Sequence, residues 1–144
     1  MEIVVKKFEE LSLDELYEIL KIRAEVFVVE QNCVYQDLDG VDQEAYHVYL
    51  KENGRIVAYL RVMDKGKRLD EVSIGRVISL KRRCGVGSLL MREGLCVAKE
   101  KFGAKVIKVG AQVYAVPFYE RAGFKVISDE YDEDGIPHVY MLYE

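Results

Sequence analysis

The sequence has 144 residues, of which 50% are hydrophobic and 32% are charged, and its formal net charge is −4. This composition is typical of a soluble globular protein, and the length predicts one domain spanning residues 1–144. The acidic balance argues against broad nucleic-acid binding, which needs a basic face. No apolar run reaches the ~20 residues that span a bilayer, and the first residues lack a signal-peptide pattern. We therefore expect a cytoplasmic protein with neither nucleic acid nor membrane as partner.

The possible metal ligands form no recognised pattern. Cys33, Cys84 and Cys96 are odd in number, and their spacing fits neither a disulfide framework nor a zinc site. The acidic loop that starts at Asp37 resembles a calcium loop only superficially, because Gly40 comes too early and no acid closes a twelve-residue frame. We expect reduced thiols and no metal.

The first predicted elements are a strand at Ile3–Val5 and a helix that begins after Ser12. Ser12 and Glu15 have the spacing of a capping box. The run from Val26 to Val29 is rich in β-branched residues, which is unusual at a helix end. The following apolar residues recur at helical spacing and are expected to face the core: Leu13, Leu16, Tyr17, Leu20, Ala24 and Phe27.

A meander of three antiparallel strands is predicted next, at about 45–51, 55–63 and from Ile74 onward. Asn53-Gly54 suits the turn of a hairpin between the first two. A helix from about Gly85 to Phe102 follows, with Gly103 as its stop. Gly94 inside this helix indicates close packing on the sheet.

The last elements are a strand at 106–110, a short helix at 117–122, and strands at 124–127 and 139–143 around an acidic turn at 129–135. The resulting order is β-α-β-β-β-α-β-α-β-β. It favours an α/β fold in which helices cover both faces of one mixed, mostly antiparallel sheet.

The stretch from Ile74 to Met91 reads as a strand, a basic glycine loop and the start of a helix, which together form an anion site. A Walker loop would end in Gly-Lys-Ser/Thr, but Ser88 follows Gly87 directly. A Rossmann fingerprint would need a small residue where Leu90 stands. An ATP- or NAD-binding protein and a basic turn without a ligand both stay open as alternatives.

The motif Arg-x-x-Gly-x-Gly at 82–87, with Phe-Tyr-x-x-x-Gly-Phe at 118–124, resembles the GNAT N-acetyltransferases. Segments 26–33, 74–78, 110–112 and 133–138 resemble its ElaA-like branch more closely. The resemblance implies a central sheet that splays between the fourth and fifth strands, often at a bulge. It also implies acetyl-CoA as cosubstrate and direct transfer of the acetyl group to an amine.

The residues that would contact acetyl-CoA follow from this resemblance. The pantetheine arm would lie along the fourth strand, and a backbone N–H near Ile78 would polarise the thioester carbonyl. The link from Arg76 to Gly87 is shorter than is usual in this branch, so the side-chain role of Arg82 stays open. The expected cofactor-binding residues are Val77, Ile78, Ser79, Arg82, Arg83, Cys84, Gly85, Val86, Gly87, Ser88 and Phe118.

The resemblance also assigns catalytic roles. Tyr119 would be the general acid that protonates the departing thiolate. The candidates for the base are Glu30, Glu71, His138 and bulk water, and Gln112 is expected near the substrate.

Arg61 and Arg76 lie on apolar strands and need carboxylate partners, which Glu30 or Asp42 could supply. A substrate-binding network and structural support are equal alternatives for these arginines.

The sequence therefore predicts an acetyl-CoA-dependent N-acetyltransferase that acts on a primary amine of a small molecule or peptide. The acidic loops at 37–44 and 129–134 favour a cationic acceptor by steering. A non-catalytic acyl-CoA-binding module on the same fold is the alternative, and a homodimer is compatible with either.

Overall fold

The structure, a computed structural model, describes residues 1–80 and 85–144. The predictions made for Lys81, Arg82, Arg83 and Cys84 lie outside these described residues. The helices are α1 (Leu13–Arg23), α2 (Val86–Phe102) and α3 (Val116–Arg121), with a π-helical segment at Ala24–Glu30. The strands are β1 (Glu2–Lys7), β2 (Tyr46–Glu52), β3 (Arg55–Met63), β4 (Val72–Ser79), β5 (Ile107–Gln112), β6 (Lys125–Val126), β7 (Tyr131–Glu133) and β8 (Ile136–Tyr143).

The described strands form one sheet in the order β1-β2-β3-β4-β5-β8-β6, and β7 also pairs with β8. Only the β4–β5 pairing is parallel, and it joins just Val72 to Ile107 and Ser73 to Lys108. Because β4 runs on to Ser79 and β5 to Gln112, the two strands separate beyond these pairs. The predicted mixed sheet, splayed between the fourth and fifth strands, is confirmed.

A bulge interrupts β4 at the start of this splay. Tyr59 pairs with Ile78, whereas Arg61 pairs with Gly75, so β4 carries one extra residue opposite β3. Arg76 lies in the bulge with a φ of 53°, in the left-handed region that side chains with a Cβ seldom adopt. The bulge therefore changes the direction of β4 where the cleft opens.

Alternation along the strands divides the core between the two faces of the sheet. On one face, Val48 and Leu60 pack with α2 and α3; on the other, Tyr49 and Tyr59 pack with α1. The predicted close packing at Gly94 is confirmed, because a Cβ there would lie 2.8 Å from Leu60 Cδ2. Helices thus cover both faces, as expected.

Two features of the N-terminal half differ from the sequence prediction. The predicted core stripe is wrong at Leu13 and Tyr17, which are 86% and 74% exposed, and at Ala24, which is also exposed. The buried face of α1 instead comprises Ile19, Ile22 and Arg23. The helix does not end at the β-branched run but widens there into the π-helical segment, where Cys33 N–H donates to Val28 O five residues earlier.

The C-terminal hairpin also differs from its prediction. The segment predicted as an acidic turn contains strand β7, and β8 begins earlier than expected, at Ile136. The turn itself is reduced to Asp134 and Gly135, whose φ angles of 54° and 80° give the conformation of a tight hairpin turn. This hairpin brings Tyr131 and Glu133 beside His138.

Candidate active site

A cavity of about 1040 Å³ occupies the splay between β4 and β5, and it is lined both by Val26 and Phe27, which follow α1, and by Phe118 and Tyr119 of α3. The predicted site residues that line it are Glu30, Arg61, Arg76, Val77, Ile78, Ser79, Gln112, Phe118, Tyr119 and His138. Among the described residues, the lining includes neither Glu71 nor the helix start at Gly85, Val86, Gly87 and Ser88. Glu71 instead lies 3.6 Å from Lys108 Nζ.

Tyr119 reaches the cavity from α3. Its ring is 7% exposed and meets Phe118 and Phe124 edge to face. Burial raises the pKa of the Tyr119 phenol well above its usual range, and the charge of Tyr114 adds to this. The phenol therefore keeps its proton at neutral pH.

The start of α2 adjoins the same region through Phe118. Gly85 caps the helix in the left-handed conformation, with a φ of 72° and no side-chain hydrogen bond. The N–H groups of the first helical turn, from Val86 to Ser88, have no acceptor within the helix. A Cβ at Gly87 would lie only 3.0 Å from Phe118 Cε1, so this glycine lets the helix start pack on the Phe118 ring.

On the β3–β4 side of the cavity lies an arginine–aspartate cluster, comprising Arg23, Arg61, Arg76, Asp37, Asp39 and Asp42. Arg23 is fully buried; its Nε lies 3.0 Å from Asp37 Oδ2 and its Nη1 lies 2.7 Å from Asp42 Oδ1. Arg61, 1% exposed, donates from Nη1 to Asp42 Oδ1 at 2.9 Å and from Nη2 to Asp39 Oδ2 at 2.6 Å.

The third arginine of the cluster connects it to the bulge. Arg76 Nε lies 2.7 Å from Asp37 Oδ1, and Nη2 donates to the Asp37 carbonyl at 3.0 Å. Its guanidinium also lies 5.7 Å from the centre of the Tyr35 ring. The loop at 33–42 is thus fastened to β4 at its strained residue.

The charges in this cluster compensate one another. Burial would raise the pKa of Asp42, but hydrogen bonds and charge from Arg23 and Arg61 outweigh burial and lower it. The pKa of Asp39 is lowered in the same way, burial being overcome mainly by Arg61. These aspartates therefore remain ionised and paired, which removes them from the predicted steering of a cationic acceptor.

The structure also settles which carboxylates pair with the predicted arginines. Asp42 is confirmed as a partner of Arg61, whereas Glu30 as an arginine partner is wrong, since the described ion pairs of Arg61 and Arg76 go to Asp37, Asp39 and Asp42. These ion pairs favour structural support for both arginines. Arg23 was missed, although its place four residues after Ile19 puts both on one helical face.

On the opposite side of the cavity lies a His138 group, which comprises His138 on β8, Glu133 and Tyr131 on β7, and Arg68 from the loop between β3 and β4. His138 is 7% exposed, with Nδ1 2.7 Å from the Ile136 carbonyl and Nε2 3.4 Å from Glu133 Oε2. Glu133 Oε1 lies 3.5 Å from Arg68 Nη2. Tyr131 stacks between the rings of Tyr140 and His138, at centroid distances of 4.6 and 5.7 Å.

The remaining predicted polar residues occupy the mouth of the cavity. The Gln112 and Gln31 amides face each other across the splay, with N···O distances of 3.3 and 3.4 Å. Glu30 is exposed at the end of the π-helical segment and also lines this mouth. His47 is fully buried away from the cavity lining and contacts the Tyr59 hydroxyl and the Asp42 carbonyl, as expected of a core histidine.

Residues 1–80 and 85–144 contain no cluster of three or more His, Cys, Asp or Glu side chains arranged to bind a metal ion. None of their helices is long and apolar enough to cross a membrane. Cys33 and Cys96 are free, and Cys33 Sγ lies 3.0 Å from the Asp134 carbonyl.

A splayed sheet with a bulge at the opening of its cleft defines an acyltransferase-type fold, and the family comparison agrees. The family model described as "Acetyltransferase (GNAT) domain" matches residues 9–144. The chain therefore belongs to the GNAT acetyltransferase family, and the predicted resemblance is confirmed.

Relatives within this family cover nearly the whole chain. A UPF0039 protein of Schizosaccharomyces pombe is 42% identical over 100% of this chain and 97% of its own length. ElaA of Escherichia coli is 41% identical over 94% of this chain and 91% of its own.

Two solved structures show the same fold over essentially their entire lengths. The structure of E. coli ElaA aligns with a TM-score of 0.92 and 39% identity, covering 99% of both chains. That of an acyl-CoA N-acyltransferase from Pseudomonas aeruginosa aligns with a TM-score of 0.92 and 36% identity, covering 100% of both.

Proposed function

We propose that this protein is an acyl-CoA-dependent N-acetyltransferase, with acetyl-CoA as donor and a primary amine as acceptor, and that residues 1–144 form its single catalytic domain. The observation that carries this proposal is one cavity shared by the splayed end of β4 and the buried phenol of Tyr119. The splayed edge offers backbone groups to an extended pantetheine arm, and the phenol offers a proton to the leaving thiolate. The family match and the P. aeruginosa relative support acyl-CoA as the donor class.

The donor would be held at both ends. The N–H groups at the start of α2, which have no acceptor within the helix, suit a pyrophosphate because they carry the positive end of the helix dipole. Along β4, Leu80 N–H donates to Val57 O on β3 at 2.8 Å. Successive backbone N–H groups point to opposite sides of a strand. The N–H of Ile78 therefore also points toward β3, and the N–H of Val77 points toward the splay. We assign polarisation of the thioester carbonyl to the N–H of Val77, one residue from the expected Ile78.

Proton transfer from Tyr119 is compatible with its raised pKa. Burial disfavours the phenolate, but it equally disfavours a thiolate formed in the same cavity. Transfer of the proton replaces one buried anion with another, so the cost of burial largely cancels. Burial therefore does not prevent the Tyr119 phenol from giving its proton to the leaving thiolate.

The test is release of free thiol from acetyl-CoA in the presence of a panel of primary amines, including polyamines, arylalkylamines and peptides. We expect turnover with the wild type and a loss of about 10²–10⁴-fold in kcat for Tyr119→Phe, with unchanged CoA affinity. Tyr17→Phe is the matched control, because Tyr17 is 74% exposed on α1 and outside the cavity lining.

Two outcomes would contradict the proposal. Tight CoA binding without turnover on any amine would favour the alternative of a non-catalytic acyl-CoA-binding module. Thermal stabilisation by ATP or NAD but not by acetyl-CoA would instead exclude acyl-CoA as the ligand.

A further inference from the structure

The tautomer of His138 follows from its surroundings. Nδ1 lies 2.7 Å from the Ile136 carbonyl, which can only accept a hydrogen bond. In the neutral ring the proton therefore resides on Nδ1, and Nε2 carries the lone pair. Because His138 lines the cavity and is 7% exposed, this lone pair is a fixed and nearly dry proton acceptor.

A carboxylate stands beside that lone pair. Glu133 Oε2 lies 3.4 Å from His138 Nε2, too far to bind the neutral ring strongly but close enough to pair with a charged one. The charged and titratable groups that surround the ring are Glu133 and Tyr131 on β7, Arg68 beyond Glu133, and Asp134 in the turn; Gln112 on β5, opposite in register, is neutral.

We propose that His138 is the catalytic base and that Glu133 is a positioning residue that stabilises the imidazolium; this inference rests on the proposed function. The ammonium of the acceptor gives a proton to Nε2, and the electron pair of the broken N–H bond stays on nitrogen. That nitrogen bonds to the thioester carbon, the C–S bond breaks, and the thiolate takes the proton of Tyr119. The second proton that the nitrogen loses on becoming an amide passes through water to the Tyr119 phenolate, and His138 returns its own proton to water.

The first experiment measures thiol release by wild type, His138→Gln and Glu133→Gln at saturating acetyl-CoA, from about pH 5.5 to about pH 9.5. We expect His138→Gln to lower kcat about 10²-fold, without loss of CoA affinity. Glu133→Gln should lower kcat without raising the KM of the acceptor, because the imidazolium formed in the reaction loses a negative neighbour 3.4 Å away. A merely structural Glu133 would leave kcat in place.

Asp132→Asn is the matched control for this experiment. Asp132 lies between Tyr131 and Glu133 on β7, so it faces away from the cavity, and it is exposed. The control should retain wild-type turnover. An unchanged kcat in Glu133→Gln, or full activity in His138→Gln, would overturn the proposal.

The second experiment does not depend on activity and separates this inference from the proposed function. Nitrogen NMR of the neutral His138 ring should show the proton on Nδ1 in both wild type and Glu133→Gln, because the Ile136 carbonyl accepts it in either chain. A ring protonated on Nε2 would refute the base assignment even in an active enzyme. Absence of thiol release by the wild type would instead refute the proposed function.

Discussion

The two sides of the cavity both present charged side chains, yet they use them differently. In the arginine–aspartate cluster the main contacts are short, between 2.6 and 3.0 Å, and Arg23 and Arg61 are almost fully buried. In the His138 group the contacts lengthen to 3.4 and 3.5 Å, and the Glu133 and Arg68 side chains are each 41% exposed. Short, buried ion pairs hold a fixed shape, whereas the longer, partly exposed contacts leave His138 Nε2 weakly paired.

This difference matters for interpreting any charged active-site wall. Arg61 and Arg76 line the cavity, and their positions alone would suggest that they bind substrate. Their Nη donors already face Asp37, Asp39 or Asp42, and their Nε atoms are buried without an aligned hydrogen-bond acceptor, so an anion that used the Nη donors would have to displace an existing partner. His138, by contrast, needs no displacement to accept a proton. The availability of a lone pair, rather than nearness to the cavity, separates the two roles.

The largest expected effect is on stability, in Arg23→Met. Removal of this guanidinium leaves Asp37 and Asp42 buried with fewer partners, and we expect the free energy of unfolding to fall by about 3–5 kcal/mol. Arg68→Met should cost less than about 1 kcal/mol, because the Arg68–Glu133 pair is exposed. Urea unfolding measures both variants. Equal losses would show that the two sides do not differ as described.

The next effect is the dependence of stability on pH. Burial lowers the pKa of His47 below its usual value, although Asp42 partly opposes this. The unfolded chain then binds more protons than the folded one, so stability is lost as pH falls below about 6.5, by at most about 1.4 kcal/mol per pH unit for this group. Urea unfolding between pH 8 and 5 measures the slope. His47→Gln should flatten it, and an unchanged slope in that variant would contradict the assignment.

The arginine–aspartate cluster also contributes stability that is lost as pH falls, but at lower pH than His47. The pKa values of Asp39 and Asp42 are lowered, so their contribution is present above the usual aspartate pKa of about 3.9 and is lost as pH falls below it. The arginine–aspartate cluster should therefore weaken only in strong acid.

The smallest expected effect is on stability, and it distinguishes the backbone strain at Arg76 from the ion pairs of its side chain. Arg76→Ala and Arg76→Gly lose the same ion pairs, but only alanine keeps a Cβ at a φ of 53°. Relief of this strain, less the entropy of glycine in the unfolded chain, should make Arg76→Gly more stable than Arg76→Ala by about 0.5–1 kcal/mol. Urea unfolding compares the pair. A more stable alanine variant would mean that the bulge has rearranged.

Much of the fold could be predicted because its signals are local. Asn53-Gly54 marks its hairpin with φ angles of 53° and 77°, and Gly103 ends α2 at a φ of 62°. The close packing of Gly94 on the sheet could be predicted from its place within an apolar helix. Each of these depends on what one residue type can adopt, so a single sequence suffices.

The parts that escaped prediction depend on distant partners. Arg23 is buried only because Asp37 and Asp42, 14 and 19 residues later, fold back onto it. The spacing of Leu13 and Tyr17 predicts that they face the core. Hydrophobic periodicity alone does not show that an arginine can lie on the buried face of a helix when carboxylates from a distant segment pair with it. The role of Glu133 was missed for the same reason, because strand β7 was predicted as a turn.

Gly87 stands in a motif where glycine is usually attributed to the ligand, yet a Cβ here would also lie 3.0 Å from the ring of Phe118, the neighbour of Tyr119. The two motifs therefore constrain each other sterically. A residue larger than glycine would require the Phe118 ring to move by a few tenths of an ångström, beside Tyr119. A glycine loop transplanted into another chain should therefore carry its matching aromatic residue.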